Sequence, residues 1–285
     1  MAERNFFQLL RANWQQGKFV CVGLDTEFGK IRPRDVRKAS EGATVLAFNR
    51  AIVDATHELV CAYKPNIAFY EALGPEGWST LHETIVHIHR IAPQVPVILD
   101  AKRADIGTTN AAYAKAAFHY LEADAITVHP YLGREALQPF LDVKDKGIFV
   151  LCRTSNPGAG ELQDQEIRAD RPLYQFLASS VANTWNSNGN CGLVVGATYP
   201  QELKLVRESV GDMPLLIPGI GAQGGDLEAS VAAGKDSRGE GMIINSSRGI
   251  IYAYEKQEYS GVPFDEAARL ETDKLHQQIR AALAA

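Results

Sequence analysis

The feature that most constrains the fold of this chain is a regular alternation of short apolar runs with longer amphipathic stretches. Short apolar runs bounded by turn residues are typical of strands buried in a parallel sheet. They occupy positions 18–24, 59–68, 95–99, 123–128, 147–152, 192–195, 215–218 and 242–245. Stretches with helical periodicity lie between and after them, at 44–57, 78–91, 110–121, 134–141, 173–186, 200–210 and 264–283.

Eight strand–helix units in 285 residues predict a (β/α)8 barrel, the TIM-barrel fold, in the α/β class. The sequence contains no low-complexity segment, linker or tandem repeat that would divide it, so we expect a single domain over residues 1–285. Active sites of such barrels lie at the carboxyl ends of the strands. Polar residues at those positions are therefore the candidates for chemistry.

Composition and charge narrow the class of protein. With 46% hydrophobic and 22% charged residues the chain is globular, and a net charge of −5 gives no general reason to expect a nucleic acid or a membrane as partner. We expect no membrane span and no signal peptide, because no apolar run is long enough. The four cysteines form no CxxC pair and predict buried thiols in a reducing, cytoplasmic compartment. His82, His87 and His89 do not have the spacing of a helical metal pair, and we predict no metal site.

The strongest chemical signal is the string Asp100-Ala101-Lys102-Arg103-Ala104-Asp105-Ile106-Gly107-Thr108-Thr109, which follows the apolar run at 95–99. Side chains alternate along a strand, so Asp100 and Lys102 are expected on the same side. That side cannot be an ordinary apolar core, because burying unpaired charge is costly. A structural ion pair at a strand end is one interpretation. We favour an active site at the carboxyl end of the strand.

Polar residues also follow most of the other apolar runs. Asp25 follows the first run, Lys64 lies in the second, His129 ends the fourth, and Arg153-Thr154-Ser155-Asn156 ends the fifth. Each of them alone could cap a helix or bond to solvent, and for His129 we favour that interpretation. Because the carboxyl ends of barrel strands meet on one face, the set together predicts a single charged mouth.

The glycine-rich segment after the seventh run has more than one interpretation. Gly219-Ile220-Gly221-Ala222-Gln223-Gly224 matches the G-x-G-x-x-G pattern of dinucleotide sites. Those sites need the pattern near the first strand, with an acidic residue about twenty positions later. Here the eighth run is followed by Arg248 instead. Barrels bind phosphate with the loops after strands seven and eight, so we favour a phosphate site over plain tight turns.

These residues resemble the orotidine 5'-phosphate decarboxylase family, over about residues 19–252. The D-x-K-x-x-D string is shared with hexulose-phosphate synthases, whereas the loop at 222–226 with the distant Lys64 separates the two groups. The chain length and the Arg-Thr-Ser-Asn-Pro-Gly-Ala segment resemble the longer bacterial subfamily, often called type 2. Relative to short members, the chain has extra sequence mainly at 28–41, 163–171 and 235–240. The residues that carry the resemblance are Asp25, Lys64, the string at 100–109, Ser155-Asn156-Pro157-Gly158, the segment PGIGAQGGD at 218–226, and Arg248.

The resemblance implies conversion of orotidine 5'-monophosphate (OMP) to UMP and carbon dioxide in de novo pyrimidine biosynthesis, with no metal and no organic cofactor. It implies a homodimer with active sites shared across the interface. Lys102 would protonate C6, Asp100 would lie beside the substrate carboxylate, and Asp105 would come from the partner subunit. The other implied contacts are Lys64 and Asp25 with the ribose hydroxyls, Thr109 from the partner subunit, Ser155 (or Thr154) with the pyrimidine, Gln223 and Arg248 with the phosphate, and Ile106, Pro218 and Gly221 as further substrate-binding positions.

Two alternative functions stay open at the level of sequence. One is a metal-dependent phosphosugar aldolase of the hexulose-phosphate synthase kind, which a chelator would inactivate. The other is a non-catalytic barrel that binds pyrimidine nucleotides, although such a protein has no need of Lys102 between two carboxylates. The segment 156–170, rich in glycine and polar residues, is the predicted lid.

Overall fold

The computed structural model describes residues 4–32, 34–167, 171–220 and 226–285. Its sheet has the hydrogen-bonded order β2-β1-β8-β7-β6-β5-β4-β3, with all strands parallel. Bridges between Tyr63 and Val97 and between Asn66 and Asp100 join the two ends of that order. The sheet therefore closes, and the predicted (β/α)8 barrel is confirmed. The strands are β1 (Val20–Gly23), β2 (Val60–Lys64), β3 (Ile98–Arg103), β4 (Ala125–Val128), β5 (Gly147–Arg153), β6 (Cys191–Val195), β7 (Leu215–Pro218) and β8 (Met242–Ser246).

Helices follow the strands and pack around the barrel. Wider π-helical turns extend α5 over Ala116–Tyr120 and α8 over Val181–Trp185, and a short antiparallel ladder pairs Glu166–Ile167 with Arg171–Pro172. In the described parts of the chain, no helix is both long and apolar enough to cross a membrane. The helices are α1 (Phe6–Gln15), α2 (Glu41–Thr56), α3 (Ile67–Glu71), α4 (Pro75–Ile91), α5 (Gly107–Lys115), α6 (Gly133–Leu141), α7 (Gly160–Gln163), α8 (Leu173–Ser180), α9 (Pro200–Val210), α10 (Leu227–Gly234), α11 (Arg248–Ile251) and α12 (Phe264–Ala284).

The strands are buried on both faces, which explains why they are continuous apolar runs in the sequence. Every residue of β1, β2, β4 and β6 is buried. A strand between the barrel interior and the surrounding helices has no solvent face, so its sequence does not alternate. All four cysteines are buried free thiols, as predicted.

Helix α1, which the sequence analysis did not predict, packs across the amino-terminal end of the barrel. The Phe6 ring lies edge-on to Phe149 of β5, with ring centroids 5.6 Å apart. A Cβ at Gly147 would lie 2.5 Å from the Phe6 ring, so only glycine fits beneath it. The indole of Trp14 donates a hydrogen bond to the Met242 carbonyl at 2.7 Å. These contacts close the barrel at the end opposite the polar strand ends.

Candidate active site

A cavity of about 500 Å³ opens at the carboxyl ends of the strands. The side chains come from positions far apart in the sequence, and the parallel strands bring them to one face. Three lining side chains are cationic and two are anionic, an arrangement that suits an anionic ligand. Of the residues selected from the sequence, the cavity is lined by Asp25, Lys64, Asp100, Lys102, Ser155, Pro218 and Arg248.

Three of the other selected residues do not line the cavity. Asp105 and Ile106 are in the turn after β3 and Thr109 is in the first turn of α5, and none of the three lines this cavity. The side chain of Ile106 is 61% exposed. Gly221 and Gln223 lie outside the described residues, so the described part of the predicted phosphate site consists of Pro218, Gly219, Ile220 and Arg248, which all line the cavity.

Asp100 is bonded to two lysines at once. The Lys64 Nζ donates to Asp100 Oδ2 at 2.7 Å, and the Lys102 Nζ donates to Asp100 Oδ1 at 2.6 Å. The side chains of Lys64 and Asp100 are 5% and 10% exposed, whereas that of Lys102 is 50% exposed. The carboxylate thus connects a buried ammonium group to one that an incoming ligand can reach.

Lys64 and Asp100 are both charged, because the opposite charges around each of them outweigh the cost of its burial. Burial opposes the charge of Lys64, but attraction to Asp100 and Asp25 outweighs it and raises the pKa of Lys64 above its usual range. Burial also opposes ionisation of Asp100, yet Lys64 and Lys102 hold the pKa of that carboxyl well below its usual range. Asp100 is therefore a carboxylate at any pH at which the protein would be assayed.

Thr127 of β4, which the sequence analysis missed, is a further hydrogen-bond partner of Asp100. Its hydroxyl donates to Asp100 Oδ1 at 2.9 Å and accepts hydrogen bonds from the backbone N–H groups of Ala101 and Lys102, each at 3.0 Å. Thr127 lines the cavity. The available signal was a polar residue inside the apolar run Ala125-Ile126-Thr127-Val128.

The loop that carries Asp25 is held from behind by a buried polar network. The Thr26 hydroxyl donates to Asn49 Oδ1 at 2.6 Å, and the Tyr70 hydroxyl donates to the Leu24 carbonyl at 3.1 Å. Asn49 Nδ2 in turn donates to the Tyr70 hydroxyl at 3.0 Å. Asp25 Oδ1 is buried and has no hydrogen-bond partner in the described part of the chain. It is an acceptor available to a ligand hydroxyl.

The opposite wall is formed by the segment after β5, where Thr154 and Ser155 differ in their bonding. The Thr154 hydroxyl donates to Asn156 Oδ1 at 2.6 Å, and Gln163 Nε2 donates to the Thr154 hydroxyl at 2.9 Å. Gln163 Oε1 also accepts from the Thr154 N–H at 2.9 Å. Among the described residues the Ser155 hydroxyl makes no such bond, so it is the one available to a ligand. Gln163 lines the cavity too, and the sequence analysis had included it only as one position of the predicted lid at 156–170.

Arg248 marks the remaining end of the cavity, at the start of α11. It is exposed and makes no ion pair within the described ranges. The Gly23 backbone lies close to the Ser247 side chain at this end of the cavity, since a Cβ at position 23 would lie 1.8 Å from the Ser247 hydroxyl oxygen.

The described residues contain no group of three or more His, Cys, Asp or Glu side chains arranged to hold a metal ion. Further polar lining residues that the sequence analysis did not select are Asn245, Ser246 and Ser247.

Comparisons with a family model, with known sequences and with solved structures agree on one family. Residues 18–260 match the family described as Orotidine 5'-phosphate decarboxylase / HUMPS family. The orotidine 5'-phosphate decarboxylase of Ralstonia nicotianae is 50% identical over 256 residues, which are 90% of this chain and 92% of that protein. The structure of Leishmania donovani OMP decarboxylase has a TM-score of 0.83 at 40% identity, covering 99% of both chains. Leishmania donovani UMP synthase has a TM-score of 0.86 at 41% identity, and the match covers 99% of this chain but 57% of that one.

Proposed function

Because this chain belongs to the Orotidine 5'-phosphate decarboxylase / HUMPS family, we propose that it converts OMP to UMP and carbon dioxide in de novo pyrimidine biosynthesis. The observation that carries the proposal is the Lys64–Asp100–Lys102 row in a cavity of about 500 Å³. A cavity of that size is in the range of small-ligand sites. A cofactor-free reaction needs fixed charges and a proton donor at the reacting carbon, and the row supplies both.

Lys102 is the proposed proton donor. When the bond between C6 and the carboxylate breaks, its electron pair stays on C6 and carbon dioxide leaves. A proton then moves from the Lys102 Nζ to C6, giving UMP, and the lysine regains a proton from water. Lysine is an acid at neutral pH, and the contact of Lys102 with Asp100 holds its ammonium group at the cavity wall.

The other proposed contacts with OMP are assigned largely to cavity groups that still have hydrogen-bonding capacity. Asp25 and Lys64 bind the ribose hydroxyls, a role supported by the unpartnered Asp25 Oδ1. Ser155 binds the pyrimidine amide, and the engaged hydroxyl of Thr154 supports that choice. Arg248 binds the phosphate beside Pro218, with Gly221 and Gln223 as its proposed partners outside the described residues.

We further propose a homodimer with shared active sites. Asp105, Ile106 and Thr109 lie outside the lining of their own cavity, and the exposed Ile106 is an apolar side chain that a partner surface would cover. In the dimer, Asp105, Ile106 and Thr109 of the partner subunit would complete each cavity. The buried thiols of all four cysteines support a cytoplasmic location, where no disulfides are needed.

The proposed activity is tested by following the ultraviolet absorbance of OMP with purified protein, with and without EDTA. We expect turnover that EDTA does not change, and a loss of about 100- to 10,000-fold in Lys102→Ala. Lys115→Ala, at an exposed lysine of α5, is the matched control and should retain activity. Well-folded wild-type protein without turnover would contradict the function, and the same protein would then be assayed with phosphosugar aldol substrates and Mg²⁺, where activity abolished by EDTA would favour the metal-dependent aldolase class.

The shared site is tested by mixing two inactive variants, Asp105→Ala and Lys102→Ala. A mixed dimer contains one cavity in which both residues are intact, so random exchange should restore about a quarter of the wild-type activity. Subunit exchange is verified with differently tagged chains. Exchange without any recovery of activity would show that the two residues act within the same subunit.

A further inference from the structure

The end of β3 departs from regular strand pairing where the two functional side chains lie. Leu99 pairs with Ile126 of β4, and the next pair joins Arg103 to Val128, so four steps along β3 correspond to two along β4. Lys102 within this bulge has a φ of +48°, in the left-handed region that side chains with a Cβ rarely adopt. Backbone N–H groups inside such a bulge lose their partners on the neighbouring strand.

One hydroxyl replaces the missing strand partners. Thr127 Oγ1 accepts from the N–H groups of both Ala101 and Lys102 at 3.0 Å, and donates its own hydrogen to Asp100 Oδ1 at 2.9 Å. A hydroxyl has one donor and two acceptor positions, so these three bonds use its full capacity. Thr127 is itself buried, with 1% of its surface exposed.

We propose that Thr127 is a positioning residue of the active site. Its hydroxyl holds the left-handed backbone that directs Lys102 into the cavity, and it orients the carboxylate of Asp100, to which Lys102 and Lys64 are bonded. The inference rests on the decarboxylase function proposed above. Thr127 acts through Lys102 and Asp100, so its loss should slow the chemical step and leave the binding of the nucleotide at Arg248 and Asp25 largely unchanged.

The test compares Thr127→Ser with Thr127→Ala, two variants that differ only by the hydroxyl. We expect Thr127→Ser to keep kcat close to the wild-type value, and Thr127→Ala to lower kcat by about 100-fold, the effect of misplacing a reacting group by roughly 1 Å. KM for OMP and the affinity for UMP, measured by calorimetry, should change by less than about threefold in both variants. Thr272→Ala is the control, since that buried hydroxyl bonds, among the described residues, only to the Ala268 carbonyl in α12.

The outcomes separate this inference from the proposed function. Wild-type protein without OMP turnover would contradict the function itself. An active wild type with equal kcat in Thr127→Ala and Thr127→Ser would overturn the positioning role, as would a loss confined to KM. If Thr127→Ala does not fold, Thr127→Val serves as the second hydroxyl-free variant, and failure of both to fold would make Thr127 a structural residue.

Discussion

At the scale of single residues, Lys102 combines chemistry with backbone strain. Its φ of +48° is a conformation that costs a residue with a Cβ roughly 1–2 kcal/mol. The strain is maintained by bonds on both sides of the residue, from its N–H to Thr127 and from its Nζ to Asp100. Such strain concentrates at functional sites, where the surrounding structure overrides the local preference.

This strain predicts an unusual order of stability between two variants of Lys102. We expect Lys102→Gly to be more stable than Lys102→Ala by about 1 kcal/mol, because glycine adopts positive φ freely. Both variants lack the ammonium group and should be inactive, so the comparison isolates the backbone. The measurement is the free energy of unfolding in urea.

A matched pair at a regular helical position should show the opposite order. At Lys115 in α5, alanine is expected to be more stable than glycine by about 1 kcal/mol. If alanine is also the more stable residue at position 102, the left-handed backbone does not control stability there.

At the scale of elements, the segment after β5 is attached to the barrel by Arg153 and Gln163. The buried guanidinium of Arg153 donates to the Thr154 carbonyl at 3.2 Å and to Asp164 Oδ2 at 3.2 Å, and it lies 4.4 Å from the centre of the Tyr199 ring. Gln163, at the end of α7, bonds to both the N–H and the hydroxyl of Thr154. Within the predicted lid at 156–170, Gln163 and Asp164 are thus bonded to residues at the end of β5, and residues 168–170 lie outside the described residues.

Releasing this attachment should weaken substrate binding. In Gln163→Ala the wall that carries Ser155 loses both bonds to Thr154, and ordering it again must draw on the binding energy of the substrate. We expect KM for OMP to rise about tenfold, with a smaller change in kcat. Gln165→Ala, at an exposed glutamine just beyond α7, is the control and should match the wild type. An unchanged KM in Gln163→Ala would show that the segment is held without this side chain.

At the scale of the whole molecule, the two ends of the barrel hold different clusters of charged residues. The carboxyl end holds the site, whereas the amino end holds a buried ion cluster around Asp124. Arg4 donates to both oxygens of Asp124 at 2.9 Å, and the Val97 N–H donates to Asp124 Oδ2 at 2.9 Å. The His89 Nε2 lies 3.2 Å from the same oxygen. The cluster ties the amino-terminal segment to α4, β4 and the residues before β3.

The Asp124 cluster predicts a specific loss of stability in acid. Burial opposes the charge of Asp124, but hydrogen bonds from His89 and Arg4 outweigh it and lower its pKa from 3.8 to about 2. Folding therefore favours the ionised form, and the resulting stability of about 2 kcal/mol is fully present above pH ~4 and is lost as the pH falls toward 2.

The Asp124→Asn variant has no carboxyl group at this position. Subtracting its free energy of unfolding from that of the wild type therefore isolates the contribution of the Asp124 carboxyl. The free energy of unfolding of the wild type minus that of Asp124→Asn should shrink as the pH falls from about 4 toward 2. Urea unfolding across this range measures it. A difference that stays constant down to pH ~2.5 would show that the carboxyl of Asp124 is not stabilised in its ionised form.

The sequence by itself determined the barrel and the identity of its most charged strand. The order of strands and helices can be recognised from short stretches of sequence, because a strand buried on both faces must be apolar along its whole length. The string from Asp100 to Thr109 stood out for the converse reason, since charge at the end of an apolar run requires a special environment. The helices without a predicted counterpart are α1, α3, α7, α10 and α11. In α10, small apolar residues leave no amphipathic period to detect.

Only the tertiary structure decided how the charged residues meet. Strand alternation predicts that Asp100 and Lys102 share a side, but not the bulge and the positive φ that Thr127 supports from the next strand. Nor could the sequence show that the Gln163 side chain bonds to Thr154 in the cavity wall, or that Ile106 lies outside the cavity lining. Local patterns report whether a residue is buried, whereas hydrogen bonds between strands depend on register and distance, which exist only once the barrel has closed.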